Sequence, residues 1–381
     1  MNRKSFLKAL CAGAASIAAA CRRPAPTPKA SPSPTRAEQL VERIIEHNIA
    51  TLMVGATYIG DRLGLFRAMA GAGPLAAEQL ASKAGVNPRY TLEWLRTMAS
   101  SSYIDYHPAS GAFELPAEHA AVLVDEESPL FCAGIPEGTV ADILMVPRLL
   151  SAVRGGKGIP YSDYPAETFD SIERTSKPEY RHLLTQQWLP AVPGVVDRLR
   201  AGGSAADLGS GAGLASIAIA RAFPSARAFG FEPYAPSVAR ASQNARDAGV
   251  AARVQFSTFD GVHVPRGPFD LITINYALHH AGDPVGLLSS ARQALAPRAA
   301  LLIVEFRKSA RLEDDIGTIR RLAYGYGLLE CLPTALAEGG PGYGTGITEP
   351  DVRQLADRAG FRDFTRILPD DPMRAFFVLR A

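Results

Sequence analysis

Apolar residues Ile44, Ile45, Ile49, Leu52 and Met53 recur at helical spacing over residues 37–59, which predicts a helix whose broad apolar stripe needs a partner surface. Two shorter helices follow, split by Gly85, the second opened by Asn87 as its cap and Pro88 at its first position. Residues 102–115 then alternate apolar and polar around a turn at Pro108 to Gly111, the period of a β-hairpin. Residues 126–200 predict helices and loops. From Ser204 the pattern changes: short apolar runs A-A-D-L, F-G-F-E, V-Q-F, F-D-L-I-T-I-N and A-L-L-I-V-E are separated by helical lengths. That βαβ succession predicts a doubly wound α/β sheet. The final D-P-M-R-A-F-F-V-L-R predicts an edge strand of the same sheet.

The segment before this pattern has another character. Residues 1–21 carry Arg3, Lys4 and Lys8, an apolar stretch too short to span a bilayer, and A-A-A-C ending at Cys21. They read as an export signal with a lipoprotein-like site, so membrane anchoring through a lipidated Cys21 is expected; the alternative is a tail on a cytoplasmic protein. Residues 22–36 hold five prolines and predict an extended spacer. The remaining organisation is a winged-helix-like domain over 37–125 (helix pair plus hairpin), a helical connector over 126–200 and the α/β domain over 201–381.

Composition narrows the partners. A net charge of +2, from 40 Lys and Arg against 38 Asp and Glu, gives no footprint for a polyanion. The would-be recognition helix offers only Arg89 and Arg96 against Glu93, so no nucleic acid is expected and a homodimer that covers the apolar first helix is. The four cysteines, Cys11, Cys21, Cys132 and Cys331, show no metal-ligand spacing, so no metal is expected; Cys132 and Cys331 are read as buried thiols or one disulfide.

Candidate chemistry gathers at strand ends. D-L-G-S-G-A-G places Asp207, Gly209, Gly211 and Gly213 in a turn between the first strand and an Ala-rich helix, where positive φ and missing Cβ atoms let backbone press against a ligand. The spacing G-x-G-x-G lacks the third glycine of the dinucleotide fingerprint. Glu232 closes the second strand, 19 residues after Gly213, where an acid can take ribose hydroxyls.

On these motifs the chain resembles class I S-adenosylmethionine-dependent methyltransferases with a Rossmann-like sheet. From about residue 37 it is similar to the bacterial branch of small-molecule O-methyltransferases with N-terminal winged-helix dimerisation domains. The resemblance implies S-adenosyl-L-methionine as cofactor, held by the glycine loop, by Glu232 at the ribose, by Asp260 at the adenine amino group, by Phe231 and Phe259 flanking the base, and by Asn275 at the fourth strand's end. It also implies His279, in A-L-H-H, as the general base and Glu305, in L-L-I-V-E, as the carboxylate that orients it. His280 stands where the family often has Asp, and Tyr276 lies just upstream. Trp188 is expected to face the cleft, and the glycine-rich residues 337–350 to form a mobile cover. The competing expectations are an NAD(P)-dependent oxidoreductase and a winged-helix regulator or degenerate ligand-binding protein.

Overall fold

A computed structural model describes residues 34–381. The readings at Cys11 and Cys21, and nearly all of the proline-rich spacer, lie outside the described residues. No helix among the described residues is long and apolar enough to cross a membrane.

Residues up to Ile49 supply the first turns of the helix Arg36–Arg62, and Ala50–Ala381 form one compact unit. Thr35 and Glu38 satisfy that helix start reciprocally: the Glu38 N–H donates to Thr35 Oγ1 at 3.2 Å and the Thr35 N–H to the Glu38 carboxylate at 2.8 Å. Its outward residues Leu40, Ile44, Ile45, Ile49, Leu52 and Ile59 are exposed.

The helix pair falls where the sequence puts it. Ala77–Ala84 ends at Gly85 with φ 68°, and Asn87 caps Pro88–Ser100 by accepting from the N–H groups of Arg89 and Tyr90. Strands β1 (Asp105–His107) and β2 (Ala112–Glu114) pair antiparallel as the wing. Trp94, Leu95 and Met98 of the second helix bury against Phe66, Met69 and Phe113. The Trp94 indole N–H donates to the Ala56 carbonyl at 2.8 Å, which satisfies the ring's one polar atom.

Helix Gly134–Gly155 and helix Ala166–Glu179 come next, the latter continuing as a wide π turn over Tyr180–Trp188. Such turns often sit at functional sites because they re-aim side chains. The α/β sheet then has seven strands: β3 (Ser204–Leu208), β4 (Arg227–Glu232), β5 (Val254–Thr258), β6 (Phe269–Asn275), β7 (Leu295–Phe306), β8 (Asp363–Ile367) and β9 (Arg374–Arg380), in the order β5-β4-β3-β6-β7-β9-β8. Strands β3 to β7 are parallel where they pair, and β9 runs antiparallel to β7 and β8.

The edge-strand expectation for the C-terminus is corrected: β9 lies inside the sheet, and β8 is the edge. The run A-F-F-V-L is buried on both faces, as a strand covered by two layers must be. Phe376 belongs to a core with Trp188, Leu199 and Leu302, and Phe377 to the opposite core with Leu288, Ile303 and Leu355. Trp188 is therefore 1% exposed and packs edge-on to Phe376, so it does not line a cleft. Strand order reverses between β3 and β6, and the crevice beyond their carboxyl ends is where such sheets bind ligands.

Candidate active site

The glycine turn is built at that switch. Gly209, Gly211 and Gly213 all have positive φ, at 76°, 49° and 80°. A Cβ on Gly209 would lie 2.5 Å from Ala277, and one on Gly213 would lie 2.4 Å from the Phe256 ring, whereas one on Gly211 would meet nothing within 4 Å. Two of the glycines thus permit close packing, and Gly211 alone faces open space. The N–H groups of Gly209 and Ser210 both donate to the Phe231 carbonyl, which pins the turn to β4.

Two buried carboxylates bracket it. Asp207 accepts at Oδ1 from Thr273 Oγ1 at 2.7 Å and from Asn275 Nδ2 at 2.9 Å, both on the adjacent β6. Burial pushes the Asp207 carboxyl up to about 6, against the pull of those two hydrogen bonds. Glu232 accepts from the N–H of Gly211 at 2.9 Å and of Tyr234 at 3.1 Å, and its burial likewise raises its pKa. Asn275 Oδ1 and Ser210 Oγ are buried without a partner. An unpartnered acceptor beside Asp207 is costly unless a donor arrives, so this corner is suited to a ligand ammonium.

The base-binding residues fall differently. Phe231 is 1% exposed with its ring against Phe259 and Phe269, so it belongs to the core and offers no face to a ligand; that expectation is corrected. Phe259 is half-buried at the same strand end. Asp260 is exposed, and its carboxylate accepts from the N–H groups of Val262 and His263 and meets His263 Nδ1 at 2.6 Å, contacts that lower its pKa.

His279 and Glu305 meet at the ends of neighbouring strands. Residues Leu278–His280 form a short 3₁₀ turn after β6, and Glu305 lies near the end of β7. Glu305 Oε2 is 2.6 Å from His279 Nδ1, and Oε1 accepts from the His279 N–H at 3.2 Å, with both side chains at most 1% exposed. A carboxylate only accepts, so Nδ1 carries a proton, and in the neutral ring Nε2 is the atom with the lone pair. That Nε2 is buried and has no partner.

Tyr276 has a structural part in this. Its φ of 54° is strained for a bulky residue. Its hydroxyl donates to Glu179 at 2.6 Å and accepts from Arg374 Nε at 2.9 Å, and Arg374 also pairs with Glu179. The clamp fixes the backbone that aims His279 and occupies the hydroxyl.

Several groups escaped the sequence because no contiguous motif joins them. The rings of Tyr161, Phe169 and Tyr234 pack together, with Tyr161 6.2 Å from His280 and His280 4.2 Å from His279. Asp142 is 2% exposed with Oδ1 unpartnered, and burial pushes it up to about 7; burial and the charge of Asp142 push Glu330 up to about 8. Burial holds the His280 imidazole well below its usual range, so it is neutral. Cys132 is exposed and Cys331 buried, and both are free thiols, which removes the disulfide alternative. The glycines of 337–350 allow close approach: a Cβ on Gly340 would lie 2.6 Å from the Ala281 carbonyl oxygen and one on Gly346 2.4 Å from that of Phe306. Their backbone packs directly on the strand-end loops. Beside it a cavity of about 240 Å³ is lined by Lys308, Tyr324, Leu332, Tyr343 and Thr345.

A family profile described as a methyltransferase domain matches residues 165–364, and one described as an Rv2258c-like winged HTH domain matches residues 49–125. The chain belongs to the methyltransferase family, with a winged helix-turn-helix domain ahead of the catalytic sheet. No curated protein matches in a sequence search. Among solved structures, mitomycin 7-O-methyltransferase MmcR is 21% identical over 91% of this chain and 98% of its own, with a TM-score of 0.67. Human N-acetylserotonin methyltransferase, solved with SAM, is 19% identical over 92% and 99%, with a TM-score of 0.68. The riboflavin-derivative dimethyltransferase RosA from Streptomyces davawensis is 22% identical over 91% and 100%, with a TM-score of 0.59. At these identities the likeness establishes a shared fold.

Proposed function

We propose that this chain transfers a methyl group from S-adenosylmethionine to a hydroxyl of a small-molecule acceptor, with His279 as the base. The observation that carries this reading is the buried, unpartnered Nε2 of His279, backed by Glu305 at 2.6 Å on Nδ1. The donor fits the residues present. Asp207 and the orphaned Asn275 Oδ1 are acceptors for an ammonium group, Gly211 leaves space where a side chain would stand, and Glu232 sits beside that space for a ribose. When bound, the donor supplies a sulfonium methyl that passes to the acceptor oxygen.

The chain's own work is the proton. His279 Nε2 takes the hydroxyl proton as the oxygen becomes the nucleophile, and Glu305 stabilises the resulting imidazolium. A burial as deep as this one excludes water from the exchange. Membership of the methyltransferase family sets aside the oxidoreductase alternative. For a DNA-binding regulator the support is poor, because Arg89 is already paired with Glu93 at 2.6 Å. The exposed row Leu40, Ile44, Ile49, Leu52 and Ile59 favours a homodimer, which size-exclusion chromatography with light scattering tests. We infer export of the chain through residues 1–21 with a lipid on Cys21; fractionation of cells carrying the Cys21→Ala variant tests it.

Calorimetry with S-adenosylmethionine, S-adenosylhomocysteine and NADPH tests the donor assignment. Binding of the two sulfur nucleosides, weakened in Asp207→Ala and Glu232→Ala, is the expected result. Binding of NADPH alone would end it.

A further inference from the structure

Two consecutive histidines on the turn after β6 and a cysteine from a later helix bring three soft or borderline donors together. His279, His280 and Cys331 each offer one ligand atom, and these atoms lie within 4.8 Å of one another. We propose that His279, His280 and Cys331 form a binding site for a divalent cation of the zinc class, and that a bound ion withdraws Nε2 of His279 from proton transfer. The second half of this proposal rests on the reading of His279 as the base; the first half does not.

The proton inventory prepares both imidazoles. His279 donates its Nδ1–H to Glu305, and in the neutral ring Nε2 holds the lone pair. His280 Nδ1 is 2.9 Å from Thr334 Oγ1, and the one hydroxyl hydrogen of Thr334 is spent on the carbonyl of Glu330 at 2.9 Å or of Cys331 at 3.1 Å. With that hydrogen on a carbonyl, the Thr334 oxygen accepts from His280 Nδ1, and in that tautomer His280 Nε2 holds the lone pair. Imidazoles that bind metal are oriented in this way, the far N–H held by a carboxylate or an oxygen. Cys331 is oriented too, since Thr345 Oγ1 donates to its sulfur at 2.9 Å.

Donor chemistry selects the ion. Two imidazoles and a thiol favour zinc, copper or nickel and disfavour magnesium and calcium, which take oxygen. Three protein ligands leave the fourth tetrahedral position open. Zinc bonds of about 2.0 Å to nitrogen and 2.3 Å to sulfur require the donor atoms to draw in by about 1 Å, a movement within reach of side-chain rotation. His279 Nε2 is buried without a partner, so an ion satisfies an atom that nothing in the described residues does. On binding, the Cys331 thiol releases its proton to solvent and the thiolate joins the metal.

Cobalt(II) is the probe, because a bound thiolate adds a sulfur-to-metal charge-transfer absorption. The full chain without donor or acceptor is expected to take up one cobalt with that band, and zinc is expected to displace it. Cys331→Ser should lose the band and Cys132→Ser should keep it; Cys11 and Cys21 are present in both, so their contribution cancels. A cooperative thermal melt like that of the wild type verifies that Cys331→Ser is folded. Should it fail to fold, His280→Asn decides, with an expected loss of cobalt affinity of about 100-fold, at or beyond the most that losing an outer partner costs. A wild-type chain without the band, a band that survives Cys331→Ser, or an unchanged affinity in His280→Asn overturns the site. Zinc that binds yet leaves methyl transfer untouched overturns the blocking of His279. A chain without methyltransferase activity still gives the cobalt spectrum, so the two readings fail separately.

Discussion

The two sides of the crevice are prepared in opposite ways. On the β3 and β4 side, both carboxylates are paired before any ligand arrives, Glu232 by two backbone N–H groups and Asp207 by Thr273 and Asn275, and the unpartnered atoms there, Asn275 Oδ1 and Ser210 Oγ, belong to neutral side chains. On the β6 and β7 side, His279 Nε2 is buried with nothing to bond, as is Asp142 Oδ1 on the helix Gly134–Gly155. A paired wall gives affinity and position, because little has to reorganise when a ligand docks. An orphaned wall gives reactivity, because a desolvated lone pair next to a fixed carboxylate takes a proton readily.

The largest expected effect tests the reactive side. His279→Ala should lower kcat by about 10²–10⁴-fold, the usual worth of a positioned base, while calorimetry finds donor affinity unchanged. Glu305→Gln should fall between wild type and His279→Ala, since an amide still orients the ring without stabilising its charge. If turnover in His279→Ala matches the wild type, the contrast between the two sides is wrong at its centre.

How far each side could be read from sequence follows from the same difference. The donor side is contiguous: D-L-G-S-G-A-G and Glu232 lie on one βαβ unit, so spacing alone places them together. For His279 and Glu305 the family resemblance carries the roles; in the fold His279 follows β6 in a short turn, Glu305 lies near the end of β7, and the pairing of the two strands brings them together. Asp142, Tyr161, Thr334 and Cys331 were not, because helices from distant parts of the chain bring them in and no period marks them. Phe231 misled for a related reason: the strand pattern says that it is apolar, and only packing says that it points into the core. The place of β9 inside the sheet is carried by a run buried on both faces, a pattern that does not tell an inner strand's neighbours from the sequence.

A smaller effect belongs to the paired side. Asp207→Ala should weaken donor binding by about 10- to 100-fold, the value of hydrogen bonds to a charged group. The wild-type Asp207 titrates near 6, so affinity for a cationic donor is expected to fall as pH drops through about 6. Asp207→Asn should show no such fall. A pH profile shared by both proteins would assign the titration elsewhere.

Smaller again is the stability stored in the orphaned side. In the unfolded chain Asp142 titrates near 4, and in the folded chain near 7. Between those values the folded chain keeps a proton that the unfolded chain releases, so stability falls as pH rises from about 4 to about 7 and is level beyond. Asp142→Asn should therefore match the wild type at pH 4 and exceed it by about 1–3 kcal/mol at pH 8, read as a rise in Tm. Cys331, Tyr161, Tyr164 and Tyr326 share this field, and Glu330 is raised by the charge of Asp142 itself, so the gain at pH 8 belongs to the coupled Asp142 and Glu330 carboxyls. An equal gain at both pH values would mean that packing, not charge, separates the two.

The least costly change separates affinity from stability within the paired side itself. Gly211→Ala meets no atom within 4 Å, so its only folding cost is the positive φ, about 1 kcal/mol. Gly213→Ala has φ 80° and drives a methyl to within 2.4 Å of Phe256, so it should lose clearly more. Donor affinity should order the pair the other way relative to stability, because the methyl on Gly211 occupies the space that the ligand needs while that on Gly213 is turned into the core. Thermal melts and calorimetry on the two variants give both quantities. Were Gly211→Ala to bind S-adenosylhomocysteine as the wild type does, the open face of the turn would not be where the donor lies.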